Sequence, residues 1–349
     1  MSGRPSPSWS KTATPPAIDG LANQLYRNRG DGTFEDVSEA SGIARHIGKG
    51  MSAAAADYDL DGFMDIFVTN DKMPNFLFHN RGDGTFEEVA LMAGGALQDS
   101  GLEVSSMGAD FRDYDNDGRP DIVFAALAGE RFPLFRNAGG GTFRDATYSS
   151  RLGPLTHHRS GWSIGLFDLD NDGWKDLFTT NAHVNDTVSF FEAAEYKLPN
   201  SAFRNAGDGT FRDVSETSGL ARGPRLAHRG SGFADLNGDG RIDVVVASLG
   251  GPAELWENVT EGGNAWLSIR LLGTKSNRDG IGACIRIGGQ HNHMTSAVGY
   301  ASSSHAGVHF GLGKMTRVPR IEIRWPSGAV QLLEDVAANQ VLAVREPER

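Results

Sequence analysis

Short apolar runs bounded by Gly, Asp and Asn recur along this chain in a fixed order. One complete unit reads Met51–Ala56, an acidic stretch, Ile66–Thr69, Phe76–His79, a Gly82-Asp83-Gly84 turn, and then Thr85–Val89, where apolar and polar positions alternate. Their β-branched and aromatic content, with the two-residue period, predicts four strands per unit and no long helix. Ile122–Phe124, Leu177–Thr180 and Val244–Ala247 repeat the strand that follows the acidic stretch. Small residues fill the run before it, which suits an innermost strand where sheets crowd around an axis. Acidic stretches 55 to 67 positions apart, with four antiparallel strands each, predict an all-β fold. It is a β-propeller with four or five readable blades, either a small ring or a partial one closed by another element.

The chain opens on a half unit, about Asn23–Val37, and its fourth unit runs from His228 to about Val259. The third unit carries an insertion over 183–199, in which Phe190–Tyr196 reads as a short helix. Such insertions tend to lie over a face of the ring, where function concentrates. Beyond residue 260 the repeat stops. Trp266–Leu272, Ala283–Ile287, Val308–Phe310, Arg320–Trp325 and Gln340–Val344 predict a small β-sandwich-like domain. The expected division is a polar tail over 1–22, a propeller over 23–260 and a β-domain over 261–349. Residues 1–18 lack the apolar core of a signal peptide.

The acidic stretches share the pattern D-x-[DN]-x-D-G-x-x-D. They are Asp57, Asp59, Asp61 and Asp65; Asp113, Asp115, Asp117 and Asp121; Asp168, Asp170, Asp172 and Asp176; and Asp235, Asn237, Asp239 and Asp243. Oxygen-bearing side chains at positions 1, 3, 5 and 9 converge once the Gly at position 6 turns the chain sharply. The backbone carbonyls of Phe63, Arg119, Trp174 and Arg241 stand at position 7. Such a cage of hard oxygen ligands suits Ca²⁺, about four ions in all, better than Mg²⁺. These are not EF-hands, because Glu is absent from position 12 and the flanks read as strands. Loop four has one carboxylate fewer and is expected to hold its ion most weakly.

The formal net charge of −11 argues against a nucleic-acid partner. The four loops hold 15 carboxylates, and four Ca²⁺ would bring the charge to about −3, so the acidity is a metal-site signature. A single cysteine, Cys284, excludes an internal disulfide and is expected in the core. No apolar run is long enough to span a membrane.

The acidic loops, with N-x-G-D-G-T-F turns between them, resemble the FG-GAP (or VCBS) repeats of integrin α-subunit propellers. Leu272–Ala283, His309–Gly313 and Trp325–Gly328 resemble the ASPIC/UnbV domain of the cartilage acidic protein family. Together these resemblances cover about 23–347. They imply a Ca²⁺-binding propeller followed by a β-domain, often exported and concerned with adhesion or matrix. Family members commonly carry a signal peptide and more blades than are legible here.

Two functions follow as expectations. The first is a calcium-stabilised binding or adhesion module without catalysis, for a protein, glycan or small-molecule ligand. The second is a calcium-binding propeller enzyme of natural-product metabolism, of cyclase or alkylating type, with a pocket under the 183–199 insertion. Its acid–base candidates are His157, His158, His183, Glu192, Glu195, Tyr196 and His228. Cages of this kind fill at extracellular calcium, which favours an extracytoplasmic or secreted location, with a cytoplasmic one as the alternative. Arg29-Gly30-Asp31 and Arg81-Gly82-Asp83 spell an integrin-read tripeptide but read first as hairpin turns.

Overall fold

The computed structural model describes residues 19–304 and 307–348, so most of the polar tail expected over 1–22 lies outside the described residues. Three complete blades follow one another. Blade one is Gly50–Ala56, Asp65–Asn70, Phe76–Asn80 and Phe86–Glu88. Blade two is Ala109–Arg112, Asp121–Phe124, Leu134–Gly139 and Thr142–Asp145. Blade three is Gly161–Phe167, Asp176–Asn181, Ser201–Asn205 and Phe211–Asp213. Each is an antiparallel meander in chain order. Blade four has three strands, His228–Ala234, Asp243–Ser248 and Glu254–Trp256. Before blade one stands the half-blade, a hairpin of Tyr26–Asn28 and Phe34–Asp36. Leu21–Ala22 pair with Ile47–Gly48.

First strands of consecutive blades pack against one another around the axis. Their small residues permit the close approach: a Cβ on Gly161 or Gly165 would meet a Phe ring carbon at under 3 Å. The main core lies between the blades, with Phe67, Phe111, Phe124, Phe135 and Phe203 fully buried.

The C-terminal domain is a sandwich, as the sequence pattern predicts. Ala265–Leu272 runs between Val308–Gly313 and Gln340–Arg345, pairing antiparallel with the first and parallel with the second. The facing sheet orders Gln290–His293, Cys284–Ile287, Arg317–Arg324 and Val330–Ala337. Between them lies a core of Leu267, Ile269, Ile285, Phe310, Ile323 and Trp325. Gln290–His293 escaped the sequence reading because its residues are polar. It is a strand whose His291, Asn292 and His293 are buried against the propeller, with His293 Nε2 3.0 Å from the Ala55 carbonyl.

This domain also fills the axis. Ser52 Oγ of blade one donates to the Gly299 carbonyl at 2.6 Å, and Gly299 N donates to Ala109 of blade two at 2.8 Å. Tyr300 N donates to Ser163 Oγ of blade three at 3.1 Å, and Phe233 N of blade four donates to Ser304 Oγ at 3.0 Å. One segment thus touches the inner strand of all four blades. Among the described residues no helix is long and apolar enough to cross a membrane.

Candidate metal loops and their covering domain

Each acidic loop joins the first and second strands of its blade, so all four lie on one face. Position 1 accepts the position 6 N–H: Gly62 on Asp57 at 2.9 Å, Gly118 on Asp113 at 2.9 Å, Gly173 on Asp168 at 2.7 Å and Gly240 on Asp235 at 2.8 Å. These glycines take φ of 84° to 100°, which Cβ-bearing residues rarely adopt. Position 9 is the loop's anchor. One oxygen of Asp65, Asp121, Asp176 and Asp243 accepts the N–H of the position 2 residue. The other accepts the N–H of Asn80, Asn137 or Asn205 on the third strand, or of Asn258 just past it, at 2.7 to 2.8 Å. The Asn of the N-x-G turn therefore ties third strand to acidic loop.

In three of the four loops carboxylates gather, while no such cluster forms among Asp235, Asp239 and Asp243 of loop four. Oxygens of Asp57, Asp59 and Asp61 lie within 4.8 Å of one another, as do those of Asp113, Asp115 and Asp121, and of Asp168, Asp170 and Asp176. His79 Nδ1 joins loop one, 3.3 Å from Asp65 and 3.5 Å from Asp59. Burial, then neighbouring carboxylates, push Asp57 up to about 6, Asp168 to about 7 and Asp65 to about 8. Burial likewise raises Asp113 to about 6, partly offset by Lys175. Asp121 and Asp176 are raised well above the ordinary range. Asp57 Oδ1 is buried with no hydrogen-bond partner. Clustered, desolvated, acceptor-only groups of this kind are chemically matched to a hard divalent cation.

The ranking of the loops by charge needs correction. Arg136 lies across Asp115 and Asp117, with Arg119 on Asp117, and Arg204 spans Asp170 and Asp172. Blade four has Glu257 where these blades have Arg136 and Arg204, and Asn237 Nδ2 donates to it at 3.2 Å. Glu257, just past the third strand, thus returns to loop four the carboxylate that Asn237 removes, while Arg241 pairs with Asp239 as Arg119 does with Asp117. Loop two, with two arginines, is the least negative of the four. The signal stood in the sequence as the residue before each repeat Asn, namely His79, Arg136, Arg204 and Glu257.

The C-terminal domain lies over this face. Asp57 and Leu60 line one small cavity with Cys284, Arg286 and His291. Lys175 Nζ bridges the carbonyls of Asp113 and His291 at 2.8 and 3.0 Å. Asn171 of loop three meets His309 Nε2 at 2.7 Å, and Asn264 donates to the Asp170 carbonyl at 2.9 Å. Trp266 is seated on Gly240 of loop four so closely that a Cβ there would collide with it. Every loop is thus part of the inter-domain contact, which the sequence reading did not foresee.

The seven acid–base candidates are not brought together. His157 and His158 stand exposed after a short helix, Leu152–Thr156. His183 Nδ1 accepts from its neighbour Asn185, and Glu195 is exposed and paired with Arg225. Glu192 is exposed, while Tyr196 packs on the main core. His228 is fully buried between the Asn181 carbonyl and Glu254, each at 3.2 Å. Instead of the expected helix, the insertion makes one 3₁₀ turn, Val188–Phe190. A groove of 640 Å³ lies between blades three and four, and none of the seven lines it. Both Arg-Gly-Asp tripeptides are hairpin turns, Asp31 and Asp83 each accepting from the Thr two residues on. Cys284 is half-buried at the domain contact instead of in the core, and burial with the neighbouring Asp57 raises its thiol to about 11.

The FG-GAP-like repeat family matches residues 17–68, 57–124, 113–179 and 186–246, and the ASPIC and UnbV family matches 273–349. The chain is similar to cartilage acidic protein 1 of Homo sapiens, 27% identical over 329 residues, covering 91% of this chain and 47% of that protein. The Mus musculus protein of that name is 26% identical over 330 residues, covering 91% and 48%. The chain therefore spans about half the length of these curated relatives. Among solved structures, an Agrocybe aegerita lectin that recognises non-reducing terminal N-acetylglucosamine aligns over 90% of this chain and 89% of its own. Its TM-score is 0.46 and its identity 18%.

Proposed function

The chain belongs to the FG-GAP-like repeat family and carries an ASPIC and UnbV domain, and on that premise we propose that it is a calcium-stabilised β-propeller binding module. One observation carries the reading. Four loops that share one backbone geometry lie on one face of the propeller, the first three gather clustered, largely desolvated carboxylates, and all four also touch the C-terminal domain. Ions held there would relieve the repulsion among those carboxylates and fix the loops on which the domain rests. Their free energy of binding adds to folding by mass action. With that face covered, ligand binding falls to the opposite one, where the second-to-third-strand connections lie. The 183–199 insertion is on that side and holds Phe190 and Phe191 exposed. Amphipathic patches of exposed aromatics are the usual anchors of protein or glycan partners. The calcium requirement and the likeness to cartilage acidic protein support an extracytoplasmic place of action. The test is thermal unfolding of the full chain with millimolar Ca²⁺ and with excess chelator. A markedly higher melting temperature with Ca²⁺, absent with Mg²⁺, is expected; equal curves would refute the reading.

A further inference from the structure

Loop one departs from its siblings at a single position. On the third strand, blades two and three lay Arg136 and Arg204 across their acidic loops. Blade one has His79 at that place, the residue before Asn80 on Phe76–Asn80. A guanidinium stays charged and offers no lone pair, whereas a neutral imidazole presents a nitrogen that can bind a metal.

The surroundings of His79 are those of a ligand set. Its Nδ1 lies 3.3 Å from Asp65 Oδ1 and 3.5 Å from Asp59 Oδ2. One ligand atom each from Asp59, Asp65 and His79 lies within 4.8 Å of the other two. Two atoms bonded to one zinc ion at about 2.0 to 2.1 Å and a tetrahedral angle stand about 3.4 Å apart, so the spacings at Nδ1 are those of a coordination edge. Nδ1 is buried and has no hydrogen-bond partner, so neither carboxylate uses it. Asp65 is fully buried and fixed by Tyr58 N at 3.1 Å and Asn80 N at 2.8 Å. Beside this set, an oxygen of Asp57 lies within 4.8 Å of one from Asp59. Asp57 is only 6% exposed, and its Oδ1 is also without a partner. One loop thus holds an orphaned nitrogen and an orphaned, desolvated carboxylate oxygen, and a cation would satisfy both.

We infer that loop one is a mixed nitrogen–oxygen site for a first-row transition-metal dication of the Zn²⁺ type, taken in preference to Ca²⁺. The inference rests on the reading of the acidic loops as cation cages and sets loop one apart from the other three. Ca²⁺ is served by oxygen ligands, whereas Zn²⁺ favours imidazole nitrogen beside carboxylate. Asp59, Asp65 and His79 Nδ1 supply three ligands and leave the fourth position to water. Loops two to four, with arginine or glutamate in the place of His79, keep oxygen-only cages.

Calorimetric titration of the full chain with Zn²⁺ in millimolar Ca²⁺ tests it, with Co²⁺ as an optical probe of the same site. Wild type should bind one Zn²⁺ that Ca²⁺ does not displace, and Co²⁺ should give the visible absorption of a site containing nitrogen. His79→Gln exchanges the nitrogen ligand for an amide oxygen. It should weaken that Zn²⁺ by about tenfold or more and remove the Co²⁺ bands, while the rise in melting temperature with Ca²⁺ persists. His79→Arg, which copies blades two and three, should lose the same Zn²⁺, with unchanged far-ultraviolet circular dichroism showing an intact fold. Zn²⁺ displaced by Ca²⁺, or held equally by wild type and both variants, would overturn the inference and leave the calcium reading standing. His79-dependent Zn²⁺ binding without any effect of Ca²⁺ on melting would do the reverse.

Discussion

Asn237 of the fourth acidic loop donates its side-chain N–H to Glu257 at 3.2 Å, and this contact gives a carboxylate to a position that blades two and three give to arginine. Glu257→Arg should therefore weaken calcium binding at loop four, and Arg136→Glu should strengthen it at loop two. Each replacement reverses a charge beside the cage, an effect of at least about 1 kcal/mol, roughly fivefold in affinity. Calorimetric titration with Ca²⁺ would resolve the change as one altered site among unaltered ones.

The raised carboxylates set a pH dependence for the metal-free protein. Asp57 and Asp113 sit at about 6, Asp168 at about 7 and Asp65 at about 8, each raised chiefly by burial from 3.8. A carboxyl raised in the fold contributes stability that is complete below its unfolded value and is lost as pH rises through its folded one. Chelated protein should thus melt at a higher temperature near pH 5 than near pH 8, and Ca²⁺ should flatten the decline. Thermal scans at both pH values, with and without Ca²⁺, check the sign.

Leu60 stands at position 4 of loop one with φ of 65°, where the other loops have Asn116, Asn171 and Gly238. A leucine in the left-handed region costs about 1 kcal/mol relative to residues that tolerate it. Leu60→Asn should raise stability by about that amount without weakening calcium binding, as read by urea unfolding.

Gly299 takes φ of 76° on the axis, and a Cβ there would lie 2.1 Å from Ser163 Oγ. Gly299→Ala should cost about 2 kcal/mol or more through strain and overpacking. Gly289→Ala, with nothing within 4 Å of the added carbon, should be close to neutral. Urea unfolding of the pair distinguishes a packed axis from a loosely held one.

Glu346 closes the turn at 274–276. Burial alone would raise its carboxyl, but the hydroxyls of Ser327 and Ser276 and the N–H groups of Thr274, Lys275 and Ser276 outweigh it and hold it at about 2. The stability this adds is present above 4.5 and lost as pH falls toward 2. Glu346→Gln should destabilise the C-terminal domain by about 2 kcal/mol at neutral pH, seen as an earlier loss of Trp325 fluorescence.

Blades were legible because short β-branched and aromatic runs bounded by turn residues read as strands and a sharp turn must use Gly, so Ile66–Thr69 and Gly62 announced themselves locally. The loops were legible because their ligand positions lie within nine residues of one another. What stayed hidden depends on distance along the chain. Glu257 reads as an ordinary strand residue until folding carries it to Asn237. The strand of His291 and His293 went unread because nothing nearby in sequence shows that Arg112, Lys175 and Ala55 bound it. The axial segment was invisible for the same reason, since Ser and Gly at 299–304 look like a linker until four inner strands surround them.

That segment has a consequence for biosynthesis. Ser52 and its partner Gly299 are separated by 247 residues, so blade one leaves the ribosome long before the backbone that will satisfy its inner strand is made. Until then the nascent inner strands are unfilled, and closing so long a loop is slow. Closure of the axis must therefore wait until the axial segment has been made, and a chain truncated before that segment should emerge as a substrate for chaperones and proteases.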